Sequence, residues 1–351
     1  MHFGSDNWAG AAPEIIDAIA AANDGFAPAY GDDELTQRVN ARFAEVFQTE
    51  CEVFFVTTGG AANSLALSVL TPPYGAVLCH DGSHIQTDEC GGPEFYTGGA
   101  KIVGVQGEQG KVDADSLATT LAQFPNHPPH SPPFTTVSIT QGTECGTIYA
   151  PEEVSAIGEF TKTNGMSLHM DGARFANAVA SSGCSPAELT WQSGVDVLSF
   201  GGTKNGCVAA EAVVFFNKDL VRDFENRRKR AGHLWSKMRF IAAQFDAYLH
   251  DDLWLKLASH ANSMAKRLSD GLAELNQVEI CYPTQINEVF AAMPKEMSKA
   301  IREGGAIFYP WMMPGDTKDG DMNRLIASFR TTDEEVEAFL ELARSAGLSS
   351  E

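Results

Sequence analysis

A single lysine among small residues is the first place in this sequence where the residue types suggest chemistry. Lys204 lies in Ser199-Phe-Gly-Gly-Thr-Lys-Asn-Gly206, directly after a short apolar stretch. An amine forms a Schiff base with an aldehyde only in its uncharged form, which burial or a nearby cation favours. The flanking glycines let backbone approach a planar ligand closely. We therefore predict that Lys204 is a nucleophile, the alternative being a surface lysine in a turn.

A carboxylate and a guanidinium precede this lysine at the end of another apolar run. Ser167–Asp171 predicts a strand, and Arg174 follows three residues after Asp171. An open α/β sheet presents its ligand groups at strand ends. An aspartate placed there can pair with the protonated nitrogen of a pyridine cofactor, and an arginine can bind a carboxylate through two parallel hydrogen bonds.

An anion site is predicted where Thr58-Gly59-Gly60 follows the apolar strand Glu52–Thr57 and begins a helix to Leu70. Free N–H groups and the positive end of the helix dipole converge at such a position. We assign a cofactor phosphate to it. The pattern is not G-x-G-x-x-G, and a nicotinamide dehydrogenase would leave Lys204 and Asp171 unexplained.

Two further polar side chains follow predicted strands. His84 comes after the strand Ala76–Cys79, and Gln141 comes after Thr135–Thr140. An imidazole could stack on a pyridine ring and lie within proton-transfer reach of a substrate hydroxyl. A structural histidine is the alternative for His84.

These motifs resemble those of low-specificity L-threonine aldolases of the phenylserine aldolase type. The matching segments are LHMDGARFANA at 168–178, SFGGTKNG at 199–206, and Ser83-His84 followed by Glu89. The resemblance implies a pyridoxal 5′-phosphate enzyme of fold type I, the aspartate aminotransferase fold. It implies aldol cleavage of threonine, allo-threonine or phenylserine-type β-hydroxy-α-amino acids to glycine plus an aldehyde. Another fold type I reaction on a small amino acid, by a hydroxymethyltransferase, racemase or aminotransferase, is the alternative.

The resemblance also assigns residues to the substrate and the cofactor. It places Ser5, beside Asp6, near the substrate carboxylate, which Arg174 and Arg324 would hold, with Arg330 as the second choice for Arg324. It places Tyr30 near the active site at a dimer interface, and so implies at least a homodimer, with a homotetramer expected. The full set expected at the cofactor is Lys204, Thr58, Gly59, Gly60, His84, Gln141, Asp171 and Arg174. Many of these enzymes have S-G-T at 58–60, so the hydroxyl that they carry at position 60 is absent here.

Length and composition limit the number of domains and the classes of binding partner. With 351 residues the chain should form about two domains. We predict a large cofactor-binding α/β domain over 1–250, with an irregular N-terminal arm and a mainly parallel sheet flanked by helices, and a smaller α+β domain over 251–351. A net charge of −21 argues against binding to nucleic acid or to an anionic membrane.

The cysteines and the termini indicate a compartment. The seven cysteines form no C-x-x-C pair, which favours a reducing cytoplasm. We see no signal-peptide pattern at Met1, no apolar run long enough to span a bilayer and no metal-ligand spacing. Apolar periodicity predicts a helix over Glu34–Phe47. We predict another helix over Pro151–Thr163, and the segment from Leu220 to Tyr248 is strongly helical and basic.

Overall fold

The computed structural model describes residues 1–125, 127–312 and 322–348. Its larger sheet contains, within these ranges, seven strands. They are β1 (Glu52–Val56), β2 (Ala76–His80), β3 (Lys101–Val105), β4 (Phe134–Thr140), β5 (Ser167–Gly172), β6 (Val197–Gly201) and β7 (Glu211–Phe215). Their spatial order is β1-β7-β6-β5-β4-β2-β3.

The direction of these strands gives the sheet one common carboxyl edge. The neighbours from β6 to β3 all pair in parallel, whereas β7 is antiparallel to both β6 and β1. β1 therefore runs in the same direction as the parallel strands. Every residue of β2, β6 and β7 is buried, as expected for a sheet covered on both faces.

Helices cover both faces of this sheet, and the last two helices in chain order pack instead in a separate core with the smaller sheet. They are α1 (Pro13–Ala21), α2 (Glu34–Phe47), α3 (Gly59–Leu70), α4 (His84–Thr87), α5 (Gly92–Thr97), α6 (Ala114–Gln123), α7 (Pro151–Thr163), α8 (Phe175–Ser182), α9 (Phe224–Arg230), α10 (Arg239–Leu249), α11 (Leu253–Ala273), α12 (Lys295–Glu303) and α13 (Asp333–Leu348). On one face Val214 packs with Phe43 of α2 and Phe245 of α10, and on the other Val213 packs with Leu65 of α3. The alternation of side chains along β7 thus serves two separate cores.

A smaller antiparallel sheet follows in the chain. It contains β8 (Glu279–Ile280), β9 (Glu288–Ala292), β10 (Tyr309–Pro310) and β11 (Met322–Ile326), in the order β10-β11-β9-β8. Its core includes Phe3, whose N–H donates to Ile307 O at 2.9 Å and whose carbonyl accepts from Ile326 N at 2.8 Å. The first residues therefore pack with the C-terminal sheet. The division of the chain at residue 250 stays a prediction.

The predicted elements agree with the structure except in one long segment. The helices α2 and α7 have the predicted bounds. The helical prediction over Leu220–Tyr248 needs correction, because α9 ends at Arg230 and α10 begins at Arg239. Gly232 has a φ of +81°, a left-handed conformation that ends a helix. Across the described residues we find no helix with the length and apolarity to cross a membrane.

Candidate active site

The side chains expected to carry chemistry gather at the carboxyl edge of the large sheet. Thr58 follows β1, His84 follows β2, Gln141 follows β4, Asp171 lies near the end of β5, and Lys204 follows β6. Because these strands run in the same direction, their ends bring residues far apart in sequence to one edge.

Lys204 extends from a short 3₁₀ turn, Thr203–Asn205, that is firmly held from beneath. Asn205 Nδ2 donates to the Tyr248 hydroxyl at 2.7 Å and to Trp254 O at 2.8 Å. Lys204 itself is only partly buried, while both flanking segments pack into the core. The turn therefore presents the amine from a rigid support.

The charge of Lys204 acts on carboxylates that surround it. Burial raises the pKa of Glu211 to about 7, against the lowering effect of the Lys204 charge. Burial also raises the pKa of Glu288, again opposed by nearby cations that include Lys204. The charge of Lys204 thus acts to lower the pKa of buried carboxyls on both β7 and β9.

Asp171 is fixed by two donors. Its side chain is 4% exposed, its Oδ1 accepts from Ala173 N at 3.0 Å, and its Oδ2 accepts from Asn63 Nδ2 at 2.8 Å. A carboxylate has about four lone-pair positions, so these two bonds leave capacity for a further donor. The N–H of a pyridinium ring is a donor of the required kind.

His84 begins α4 and is oriented by two carboxylates. Its Nδ1 lies 2.9 Å from Glu89 Oε1, and its backbone N donates to Glu144 Oε1 at 2.9 Å. The bond with Glu89 is the main reason why the pKa of His84 is raised. Burial raises the pKa of Glu144 to about 7. The His84 side chain is 43% exposed, so one edge of the ring is accessible while Nδ1 and the backbone N–H are held by carboxylates.

We expect Glu89→Gln to lower the pKa of His84, because the substitution removes the negative acceptor on Nδ1. The raised pKa of His84 in the folded state also determines how the pair's contribution to stability changes with pH. The His84–Glu89 pair stabilises the fold below the unfolded imidazole pKa, and this contribution is lost as pH rises through the folded value. An NMR titration of both proteins measures the shift. His233, whose pKa burial lowers, is the internal control. An unchanged His84 midpoint would contradict this role of Glu89.

Arg174 is engaged with carboxylates of its own chain. Its Nε and Nη2 donate to Asp6 Oδ2 and Oδ1 at 2.8 and 3.2 Å, and its Nη1 lies 3.3 Å from Glu288 Oε2. Burial acts to raise the pKa of Asp6, but the charges of Arg174 and Lys204, together with hydrogen bonds from Arg174 and Asn287, lower that pKa below its ordinary value. The bidentate geometry expected of Arg174 is present, with Asp6 as the partner. Its contact with a substrate carboxylate stays a prediction.

Arg324 lies on β11, stacked on an aromatic ring. The guanidinium carbon is 3.9 Å from the centre of the Trp311 ring. Its Nε is buried and, among the described residues, has no hydrogen-bond partner. Burial lowers the pKa of Arg324, with the charge of Glu288 opposing. The alternative candidate, Arg330, donates through Nη2 to Ala11 O at 2.8 Å.

The remaining predicted cofactor residues lie at strand ends. Thr58 caps α3, its Oγ1 accepting from Ala61 N at 3.3 Å, and a Cβ added at Gly59 would meet no atom within 4 Å. An anion therefore has space above the first turn of α3. The Gln141 side chain binds Tyr149 O and Tyr149 N, both at 2.9 Å, so its polar groups hold a loop. A contact between Gln141 and the cofactor ring stays a prediction.

Ser5 and Tyr30 are the two N-terminal residues predicted to lie near the active site. Ser5 Oγ accepts from Asn7 N at 3.1 Å and lies next to Asp6, the partner of Arg174. Tyr30 is 48% exposed, has a left-handed φ of +63°, and its ring lies 4.8 Å from Lys229 Nζ. Their roles toward substrate and partner subunit stay predictions.

The sequence predictions did not include four residues that the structure brings to this edge. They are Asn63, Glu144, Asp6 as the arginine partner, and Glu288. The available signal for Asn63 was a polar residue within an otherwise small and apolar helix. The others depend on contacts between distant segments and carry no local signal.

Comparison with known proteins gives the family. Residues 2–295 match the family model described as beta-eliminating lyase. The chain is 45% identical to a low specificity L-threonine aldolase of Pseudomonas aeruginosa, over 99% of this chain and 97% of the relative. Among solved structures, a Leishmania major threonine aldolase aligns with a TM-score of 0.92 at 26% identity, over 99% of both chains.

A more distant structure extends the comparison to the fold. An aspartate aminotransferase from Rhodobacter sphaeroides aligns with a TM-score of 0.70 at 15% identity, over 99% of this chain and 92% of that chain. The predicted fold type I architecture and the predicted family are thereby confirmed. The chain belongs to the beta-eliminating lyase family and, within it, to the low specificity L-threonine aldolases.

Proposed function

We propose that this protein is a lyase that uses pyridoxal 5′-phosphate to cleave threonine-type β-hydroxy-α-amino acids to glycine and an aldehyde. The observation that carries the proposal is that Lys204, Asp171 and His84 meet at one sheet edge in a chain of this family. When bound, the cofactor supplies an electron sink for the pair released from the Cα–Cβ bond.

The residues present fit this cofactor. Gly59 leaves the space at the first turn of α3 that a phosphate needs, and Asp171 has lone pairs left for a ring N–H. The His84 ring is accessible for stacking. The amine of Lys204 would bind the cofactor aldehyde, and Asp171 would hold the proton on the ring nitrogen.

His84 is the proposed base for the β-hydroxyl proton. Glu89 accepts at Nδ1, which fixes the neutral ring with its hydrogen on that nitrogen and leaves Nε2 as the acceptor. Nε2 would take the hydroxyl proton as the Cα–Cβ bond breaks. An imidazole can both take up a proton and return it, which suits the two halves of the reaction.

Arg324 and Arg174 are the proposed ligands of the substrate carboxylate. The buried Nε of Arg324 lacks a partner within the described ranges, whereas each nitrogen of Arg174 already faces Asp6 or Glu288. Arg324 should therefore make the larger contribution. A carboxylate in this position orients the breaking bond relative to the cofactor, which is a positioning effect.

We expect Arg324→Gln to raise the KM for L-threonine by roughly 10- to 100-fold. Hydrogen bonds to a charged group contribute about 1.5–3 kcal/mol, and each 1.4 kcal/mol corresponds to about a tenfold change. Steady-state kinetics of the variant measure the effect. Arg330→Gln is the matched control, because that side chain binds Ala11 O. A larger KM effect in the control would transfer the role to Arg330.

We also expect broad tolerance at Cβ of the substrate. The proposed anchors hold the α-carboxylate and the amine, and none is assigned to the aldehyde side. An apolar pocket distinguishes one methylene weakly, by roughly 1–3 kcal/mol. L-Threonine, L-allo-threonine and phenylserine should all be cleaved. Values of kcat/KM for these three and for a substrate with a side-chain carboxylate test this, and a strong preference for the charged substrate would overturn it.

For the assembly we propose at least a homodimer, with a homotetramer as the expected form, in the cytoplasm. The exposed ring of Tyr30 supports the proposal, because the family resemblance assigns this residue to a subunit interface. Light scattering of the purified protein measures the mass. A monomer that is fully active would remove the interface role of Tyr30.

A further inference from the structure

One buried side-chain amide, that of Asn63, connects the carboxylate next to His84 with Asp171. Asn63 Nδ2 donates to Glu89 Oε1 at 2.8 Å and to Asp171 Oδ2 at 2.8 Å. Glu89 Oε1 also lies 2.9 Å from His84 Nδ1. A continuous series of hydrogen bonds therefore runs from the imidazole, through Glu89 and Asn63, to Asp171.

Local structure does not explain an asparagine at this position. Asn63 is 2% exposed and lies inside α3 beside the buried apolar residues Ala62 and Leu65. Asparagine is a weaker helix former than leucine. Its Oδ1 is buried and has no hydrogen-bond partner in the described part of the chain, which is unfavourable. The two bonds from its nitrogen are what the amide contributes.

Those two bonds need a donor that carries two hydrogens. Glu89 and Asp171 are both acidic side chains, and both approach the same nitrogen. Without a donor between them, two buried carboxylates repel each other. Glu89 Oε2 is buried and, among described residues, also has no partner, so Oε1 carries the bonds that fix this side chain. The position of Glu89 therefore depends on Asn63 and His84.

We propose that Asn63 is a positioning residue that holds Glu89 and Asp171 in one network, so that the imidazole and the contact with the cofactor ring nitrogen are set together. The inference rests on the proposed roles of His84 and Asp171. Asn63 has no proposed contact with substrate, and its effect passes through the two carboxylates.

The test uses the holoenzyme of Asn63→Leu, which keeps approximately the side-chain volume and removes both donors. We expect the ring-nitrogen chemical shift of nitrogen-labelled pyridoxal 5′-phosphate and the NMR titration midpoint of His84 to move together. We expect kcat/KM to fall by roughly ten- to a hundredfold, the size associated with misplacing a reacting group by about 1 Å. If either NMR signal keeps its wild-type value, the proposed positioning role of Asn63 is refuted.

Asn177→Leu is the matched control. Asn177 is also a buried helical asparagine. It follows Asp171 by only six positions, but its Nδ2 donates to Asn262 Oδ1 of α11 at 2.9 Å, and it takes part in none of the hydrogen bonds of the network. A general loss of packing would appear in both variants, whereas the paired NMR changes should occur only at position 63. Equal changes in the control would assign Asn63 to packing alone and overturn the proposal.

A second substitution covers the case in which Asn63→Leu does not fold. Asn63→Asp keeps the shape but replaces the donor by a third acceptor, and both NMR signals should move further than in the leucine variant. Wild-type NMR signals in this variant would refute the proposed positioning role of Asn63. Wild-type holoenzyme compared with Asp171→Asn tests the underlying function separately: a ring-nitrogen signal indifferent to Asp171 would refute the role of that residue, whatever Asn63 does.

Discussion

Lys204→Ala is expected to remove aldol cleavage while the protein stays folded. The substitution deletes the amine that would bind the cofactor aldehyde, but the turn beneath it keeps the bonds from Asn205 to Tyr248 and Trp254. We expect kcat to fall by at least about four orders of magnitude, which corresponds to about 5 kcal/mol in the activation free energy. Turnover of L-threonine and the thermal unfolding midpoint measure the two parts.

Lys266→Ala is the control for this substitution. Lys266 pairs with Asp270 on an exposed helix face, so its removal deletes a lysine without approaching the sheet edge. Activity of this variant should equal that of the wild type. If Lys204→Ala retained substantial cleavage with the normal stereochemistry, the lysine would lose its assigned role.

Asp171→Asn is expected to slow cleavage much more than it weakens cofactor binding. The amide keeps the shape, but it cannot hold a ring proton by charge. We expect kcat to fall by roughly 10²–10³-fold, or about 2.7–4 kcal/mol, as when one preorganised electrostatic contact is removed. Single-turnover kinetics and cofactor titration separate the two effects.

Asp196→Asn provides a closely matched control. Asp196 also accepts from one backbone N–H and one amide side chain, Leu168 N at 2.9 Å and Asn217 Nδ2 at 3.1 Å, but it directly precedes β6, at the opposite end of that strand from Lys204. Loss of such bonds lowers the free energy of unfolding by about 1.5–3 kcal/mol in either variant. Only Asp171→Asn should affect kcat. Equal kinetic effects would assign Asp171 a structural role.

The strand-end residues could be predicted from sequence because each follows its strand within a few positions. The rule that parallel strands present ligands at one edge then places Asp171, His84 and Lys204 together without further information. The bounds of α2 were also predictable, since Asp33 caps it through a bond to Thr36 N at 2.9 Å and Val39 and Phe43 mark its buried face.

The partners of these residues could not be predicted, because they come from distant segments. Asp6 and Arg174 are 168 positions apart, and Asn63 and Asp171 are 108 positions apart. The sequence showed that Arg174 could bind a carboxylate bidentately, but it did not show that the chain itself supplies one. The break between α9 and α10 was not predicted, because the basic residues up to Arg230 favour a helix. Gly232, with its left-handed φ of +81°, ends it.

The most direct test of the central claim is a product analysis with purified holoenzyme and L-threonine. Aldol cleavage predicts glycine and acetaldehyde in equal amounts, with no amino acceptor required and with no product from Lys204→Ala. Formation of a 2-keto acid, or of D-allo-threonine without glycine, would contradict the account and assign the site to transamination or to racemisation at Cα.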